Sequence, residues 1–328
     1  MKSTLRRHLI LGLTTTLLAG PLAFAPAVAQ QFPDKPITMI VAWPAGGAHD
    51  TVGRLVAEYL SKELGQPVVV NNLPGAAGTT GVRQAAAAEP DGYTIGVMGL
   101  HVVAQTYMNA SATPFATLAP LAVIERSPAA ISVRTDSGID SLQAFVNKAK
   151  SDAAAIINSD DGPGGFANIS SLLIQKAIGT TFATIPYQGY APAVAAIASG
   201  ETNTTTVPTA QMIGLSNSGD VRILAVAGDV RHPRAPDTPT FTESGFPFVF
   251  QDFVGLFTPQ GVPEDRVARL EQAVLSAVAN PEFLATAQSA GFIIAPDGRE
   301  GFAAFLDRQD NAVYPILEES GLVIVNQK

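Results

Sequence analysis

Glycine-rich stretches between an apolar run and a helical pattern are the part of this sequence best suited to chemistry. The first, AWPAGGAHD, spans residues 42–50 and follows the β-branched run ITMIV. Glycines allow a ligand to approach the backbone, and the N–H groups in a helix's first turn have no intrahelical acceptor. Such groups, together with the helix dipole, bind carboxylate or phosphate. The stretch therefore predicts an anion site built from main-chain amides.

Three further junctions have the same character. They are PGAAGTTG at 74–81, GPGGFAN at 162–168 and QGYA at 188–191. Any one of them alone is explained as a tight turn between a strand and a helix. Several that open into one cleft favour an anion site, and we predict that they converge.

Residues for catalysis or metal binding are sparse. The sequence contains no Cys, which excludes disulfides and thiolate chemistry. The pair His49–Asp50 is a poor metal site, because adjacent residues at a helix start point in different directions.

The acids Asp160 and Asp161 are interpreted as turn residues before glycine, with a catalytic pair as the alternative. The segment 162–167 fits a dinucleotide fingerprint weakly, since no acid ends the next strand. We predict a protein without a metal, a cofactor or catalytic residues.

The first 29 residues have the three parts of a secretory signal peptide. The basic MKSTLRRHL precedes the apolar ILGLTTTLLAG, and AVA at 27–29 is a cleavage pattern. The apolar part is shorter than the ~20 residues of a membrane span, so we predict export to the periplasm with cleavage near Ala29. The pair Arg6–Arg7 leaves twin-arginine and general secretory export both open.

The charge of the mature chain limits its partners. Without the signal peptide, the chain has 17 basic and 28 acidic residues. Nucleic acid binding is disfavoured, because phosphate contacts need a basic stripe and none is present. An anionic ligand must instead be attracted by local dipoles.

Strand-like runs alternate with helical patterns, which predicts βαβ units and mainly parallel sheets. Two stretches, 119–134 and 247–257, lack the usual helix between strands. They are natural places for the chain to cross between lobes. We predict an α/β clamshell with lobe I at 31–127 plus 251–328 and lobe II at 128–250. Its cleft lies at the carboxyl ends of the strands.

Local signals mark the ends of several elements. Ser141 is a candidate N-cap for a helix at 141–150, and Gly179 and Gly200 are candidate helix C-caps. TNTTTV at 202–207 is predicted to be a strand.

Several segments of the chain resemble one known family over essentially the whole mature sequence. They include FPDKPITMIVAWPAGGAHD, VVVNNLPGAAGTTGV, EPDGYTIGV, YQGYAPAVAAIASGE, RILAVAGDVRHPRAPDTPTFTESGFP and GLFTPQGVPEDRV. This pattern is similar to that of the substrate-binding receptors of tripartite tricarboxylate transporters, also called Bug receptors. The resemblance implies a two-lobed, type II-like periplasmic binding fold with two β crossings between the lobes. It also implies a monomer that closes over a small carboxylate (a dicarboxylate, tricarboxylate, acidic amino acid or aromatic acid) and delivers it to membrane permease subunits.

The resemblance assigns one end of the ligand to the first two loops. Asp50 is expected to accept hydrogen bonds from backbone amides or a bridging water rather than to touch the ligand. His49 is an additional candidate donor, although its cationic form is disfavoured at a helix N-terminus. The positions carried over to this chain are Ala45, Gly46, Gly47, Asp50, Ala77, Gly78, Thr79 and Thr80.

The sequence departs from the family on the side that holds the distal end of the ligand. GPGGFANIS lacks the Ser and His that the family's stretch carries, Tyr190 stands where a small residue is common, and Phe253 stands where Trp is frequent. These residues are candidates for a bulkier or aromatic slot, and ordinary packing is the alternative for the aromatic ones. The candidates on this side are Gly164, Gly165, Phe166, Tyr190 and Phe253.

The function that we predict is a periplasmic receptor for a small organic carboxylate. One alternative is an exported hydrolase that uses the same cleft, although no catalytic constellation is found. The other is a ligand sensor whose closed form meets a signalling partner instead of a permease.

Overall fold

The computed structural model describes residues 32–325. The predicted signal peptide, 1–29, lies outside this range. Within it the chain forms two sheets flanked by helices. The strands are β1 (Ile37–Val41), β2 (Val68–Asn72), β3 (Thr94–Met98), β4 (Ala119–Pro128), β5 (Ala130–Arg134), β6 (Ile157–Asp160), β7 (Ala183–Pro186), β8 (Thr204–Thr205), β9 (Val221–Val226), β10 (Gln251–Thr258) and β11 (Ile294–Asp297).

Ten α-helices are found in the same range. Between residues 32 and 325, none is both long enough and apolar enough to cross a membrane. The helices are α1 (Ala48–Leu64), α2 (Thr79–Ala86), α3 (Leu100–Met108), α4 (Leu142–Ser151), α5 (Phe166–Ile178), α6 (Tyr190–Ser199), α7 (Thr209–Ser218), α8 (Glu264–Ala279), α9 (Pro281–Ser289) and α10 (Arg299–Glu319).

Both sheets are mixed, so the prediction of mainly parallel sheets is wrong. The first sheet has the order β11-β4-β10-β3-β1-β2, and the second has β7-β6-β8-β5-β9. Parallel pairing is confined to β2-β1-β3 in the first sheet and β7-β6-β8 in the second. The remaining pairs are antiparallel: β10 with β3 and β4, β11 with β4, and β5 with β8 and β9.

The parallel parts of the two sheets share one topology. In each, the central strand leads through one helix to a neighbouring strand, and that neighbour leads through a second helix to the strand on the other side of the central one. The central strands, β1 and β6, therefore both end at the same kind of edge, where a glycine-rich loop enters a helix. This edge is where open α/β sheets bind ligands.

The chain passes between the sheets at Ala129, which separates β4 from β5. The Ala129 amide donates to the Phe250 carbonyl at 3.1 Å, and its carbonyl accepts from the Ala227 amide at 2.7 Å. The outgoing and returning segments are thus hydrogen-bonded where they cross. The structure is two-lobed, as predicted, whereas the residue limits of the lobes remain a prediction.

Local sequence signals predicted several element ends correctly. Ser141 Oγ accepts from the Ala144 amide at 3.2 Å and caps α4. Gly179 and Gly200 end α5 and α6 in the left-handed conformation, with φ of 66° and 85°. The strand predicted at 202–207 contains only Thr204 and Thr205.

Two helices, α3 and α7, were not predicted. Most residues of α3 are buried, so it lacks the polar face that gives a helix its periodic pattern. Helix α7 contains Gly214 and polar residues that are weak helix formers. The omission of α3 matters most, because this helix carries His101.

The core explains how β1 and α1 are held together. Met39 and Val41 share one face of β1, as the two-residue period of a strand requires, and they are fully buried. They belong to one cluster with Val56 and Leu60 of α1. Each such side chain contributes about 1.5–3 kcal/mol by leaving water. This packing fixes the loop that joins the two elements.

Candidate ligand-binding site

The loop from β1 to α1 is organised by Asp50. Its Oδ2 accepts from the Gly46 amide at 2.8 Å and from Arg54 Nε at 3.0 Å, and its Oδ1 accepts from Asn72 Nδ2 at 2.8 Å. Burial alone would raise the pKa of Asp50, but these hydrogen bonds outweigh it and leave the pKa lowered. The carboxylate is therefore ionised, and both of its oxygens accept hydrogen bonds from neighbouring residues. This matches the expectation that Asp50 accepts from backbone amides.

The Gly46 amide is committed to Asp50 and is not available to a ligand. The available donors lie further along, because α1 begins after Gly47 without a side-chain cap. The amides of the first turn then have neither an intrahelical acceptor nor a capping oxygen. Gly47, Ala48 and His49 line a cavity of about 500 Å³.

A second part of the cavity wall comes from the junction between β7 and α6. Gln188, Gly189, Tyr190 and Ala191 line it. Helix α6 also begins without a side-chain cap, after Gly189 at φ 103°. Two uncapped helix N-termini therefore line one cavity, which suits a small anion.

Trp43 and two histidines form an aromatic wall. The rings of Trp43 and His49 stack with centroids 4.0 Å apart, and His101 meets Trp43 edge-on at 5.8 Å. Burial lowers the pKa of His49 to about 4; the nearby His101 lowers it further, whereas Asp252 opposes the shift. Burial also lowers the pKa of His101. Burial therefore keeps both imidazoles neutral at pH 7. The sequence analysis expected a neutral His49, but from its place at a helix N-terminus.

Asp161 also lines the cavity, although the sequence suggested a turn residue. Its side chain is 3% exposed, and its Oδ2 lies 3.7 Å from His101 Nε2. Burial raises its pKa to about 8, with a further rise from Asp160 and Asp252. Asp160 does perform the predicted turn role, since its carboxylate accepts from the Gly162 amide at 2.9 Å and Asn168 Nδ2 at 2.7 Å.

The loop at 162–168 has the same hydrogen-bond pattern as the first loop, but its glycines do not line the cavity. The Gly164 amide donates to Asn168 Oδ1 at 3.2 Å, four residues on, as Gly46 does to Asp50. A Cβ on Gly164 would lie 2.3 Å from Met108 Sδ, and one on Gly165 would lie 2.2 Å from Asp161 Oδ1. These glycines thus allow close packing and do not line the cavity.

The predicted aromatic residues divide into two groups. Phe166 is fully buried and stacks on Phe250 at 5.2 Å, and Phe253 is fully buried against Phe302. Neither lines the cavity, and both pack in the core, so a ligand role for them remains a prediction. Tyr190 does line it, and burial raises its pKa well above the usual value, so its hydroxyl stays protonated.

The second loop does not open into the same cavity. Ala77, Gly78 and Thr79 line a separate narrow pocket beside Val102 and Gln105. A Cβ on Gly78 would be 3.4 Å from the Trp43 ring, so Trp43 lies against this loop. Thr80 lines neither pocket. Of the four predicted junctions, those at 42–50 and 188–191 line the same cavity, together with Asp161. A ligand role for the other two junctions remains a prediction.

Comparison with known proteins identifies the family. A sequence profile described as "Tripartite tricarboxylate transporter family receptor" matches residues 52–322. The chain belongs to this receptor family. The receptor is 31% identical over 311 residues to a UPF0065 protein of Bordetella bronchiseptica, an alignment that covers 92% of this chain and 91% of the relative.

Solved structures agree with this assignment. The periplasmic binding protein BugD superposes on the receptor with a TM-score of 0.77 at 28% identity, covering 89% of this chain and 99% of BugD. MatC from Rhodopseudomonas palustris, solved with bound malate, gives 0.75 at 27% identity, covering 87% and 100%. The predicted family and fold class are confirmed.

Several cavity residues of the receptor escaped the sequence analysis as ligand candidates. They lie on elements far apart in the chain, and no local motif marks them. In the described part of the chain, no group of three or more His, Asp or Glu side chains is arranged to hold a metal ion. The residues that were missed are His101, Asp161, Gln211 and Phe292.

Proposed function

We propose that the receptor captures a small organic carboxylate in the 500 Å³ cavity between the β1–α1 and β7–α6 junctions. The observation that carries this proposal is the pair of uncapped helix N-termini in the wall of this cavity. Their amides offer hydrogen bonds and a favourable dipole to an anion without any cationic side chain. MatC, a structural relative, has malate bound.

We further propose that the protein is exported, that it acts as a monomer, and that it delivers its ligand to membrane permease subunits.

Lobe I is assigned to 31–127 plus 251–328 and lobe II to 128–250. In support of these limits, β1–β4 with β10 and β11 form one sheet, and β5–β9 form the other. The cavity lies between junctions from the two sheets, so closure of the lobes would bury the ligand.

A thermal-shift screen followed by calorimetry tests the proposal. The panel contains dicarboxylates, tricarboxylates, acidic amino acids and aromatic acids, each paired with its amide or alcohol analogue. A carboxylate at a hundredfold excess over Kd should stabilise the folded state by about 2.7 kcal/mol, whereas its uncharged analogue should not. The proposal would be overturned if only the uncharged analogues stabilised the protein, or if none of the carboxylates did.

A further inference from the structure

Asp161 is an unusual member of the cavity wall. Among the described residues that form this wall, no Lys or Arg and no other carboxylate is present. Asp161 Oδ1 accepts a hydrogen bond from the Asn168 amide at 3.1 Å, and the amide of Asp161 itself makes a weaker contact with the same carboxyl. The contact of 3.7 Å with His101 Nε2 is too long for a hydrogen bond. A carboxyl that is buried in this way needs a proton or a cation from outside the protein.

The surroundings of Asp161 favour a cation over a second anion. Asp160 of β6 and Asp252 of β10 add negative charge nearby. His101 of α3 is kept neutral by burial, and Tyr190 of α6 stays protonated. A second ligand carboxylate would meet repulsion here, whereas an ammonium group would stabilise the ionised form of Asp161.

We propose that the ligand carries a protonated amine in addition to its carboxylate, and that Asp161 binds the ammonium group while the amides of α1 and α6 bind the carboxylate. This inference rests on the proposed carboxylate-receptor function and narrows it to amino acids. Asp161 is then a specificity-determining residue, and the pairing of opposite charges at the two sites sets the orientation of the ligand.

Matched ligand sets test this assignment by calorimetry at pH 8. Each set has an amino, a hydroxy and an unsubstituted acid: aspartate, malate and succinate; glutamate, 2-hydroxyglutarate and glutarate; phenylalanine, phenyllactate and phenylpropionate. In at least one set, the amino acid should bind about tenfold or more tightly than its two analogues, a typical value for a buried charge pair. Asp161→Asn should remove this preference and leave the analogues unchanged or tighter.

Glu125→Gln is the matched control. Glu125 is a buried carboxyl whose pKa is likewise raised to about 8 by burial, but it does not line the cavity. This variant should keep the amino acid preference. If the unsubstituted acids bind wild type best and Asp161→Asn weakens them, a protonated Asp161 donates to a carboxylate, and the inference is wrong. An unchanged rank order in Asp161→Asn would also overturn it.

The pH dependence of wild type gives a second test if Asp161→Asn does not fold. Binding an ammonium requires the ionised carboxylate, so affinity for the amino acid should fall about tenfold per pH unit below the pKa of about 8. A flat profile, or tighter binding at low pH, would contradict an ammonium site. If no acid of any set binds, the proposed function itself fails, and this inference fails with it.

Discussion

The Tyr190 hydroxyl donates a hydrogen bond to Asp252 Oδ2 at 2.9 Å, which joins helix α6 to strand β10 across the two sheets. The other oxygen of Asp252 accepts from the amide of Leu100, the first residue of α3, at 3.1 Å. One buried carboxylate therefore connects the crossing strand to helices on both sides of the cavity. This connection defines how the walls of the cavity are held relative to each other.

Tyr190→Phe should destabilise the protein by about 1–3 kcal/mol, because it leaves a buried carboxylate oxygen without its donor. Urea denaturation measures the free energy of unfolding. Tyr314→Phe is the control, since it removes a comparable bond to Glu318 at an exposed position and should cost less than about 0.5 kcal/mol. Equal stability of the two variants would mean that the Tyr190–Asp252 bond contributes nothing in solution.

Gly46→Ala should weaken ligand binding and cost about 1–2 kcal/mol of stability, because Gly46 has a φ of 89° that L-residues resist. Gly47→Ala is the matched control in the same loop. Gly47 has a φ of −79°, and a Cβ there meets only the Pro44 carbonyl at an ordinary 3.7 Å. We expect it to change stability by less than about 0.5 kcal/mol. Calorimetry measures the loss of binding in Gly46→Ala. Similar losses of stability in both variants, measured by denaturation, would contradict the conformational argument.

The sequence predicted the parts of the site that depend on local chemistry. The segment 44–50 combines glycines with an acid in the first helical turn, and the structure shows that acid holding the loop through the Gly46 amide. The alternation of strands and helices, together with the helix-free stretches at 119–134 and 247–257, likewise predicted two α/β lobes. Such features depend on interactions between residues that are close in the sequence, so short-range sequence patterns predict them.

Features that depend on distant residues could not be predicted in this way. Asp161 looked like a turn residue because it precedes Gly162. Its neighbour in space, His101, lies 60 positions earlier on a helix that has no amphipathic pattern. The antiparallel pairing of β4 with β10 joins segments more than a hundred residues apart. The packing of Phe253 against Phe302 also arises only in the folded chain.

The stability of wild type relative to Glu125→Gln should fall as pH rises from about 4.5 to about 8. Burial raises the pKa of Glu125 to about 8, opposed by the hydrogen bond from Ser127 and assisted by Asp252. The folded state then keeps a proton that the unfolded state releases above its ordinary pKa, so stability decreases across that window. Thermal unfolding at pH 5 and pH 8 should show a relative loss in Tm of at least ~3 °C.

Glu63→Gln serves as the control for this titration, because Glu63 is exposed. Its Tm difference from wild type should be the same at both pH values. A relative Tm for Glu125→Gln that does not change with pH would show that the Glu125 carboxyl is not buried in its neutral form.

Ala48→Pro should weaken binding of the carboxylate by about three- to tenfold, because it removes one amide donor from the cavity wall while keeping the helix. Ala48 is the first residue of α1, where proline is well tolerated, and Gly47 before it is already extended at ψ 171°. One net hydrogen bond is worth about 0.5–1.5 kcal/mol, which corresponds to that range of Kd. Calorimetry gives Kd, and denaturation should show stability within about 0.5 kcal/mol of wild type. If the variant folds normally and binds the carboxylate as tightly as wild type, the Ala48 amide is not part of the proposed site. If it loses both stability and binding, the Ala48 amide supports the loop instead of binding the ligand.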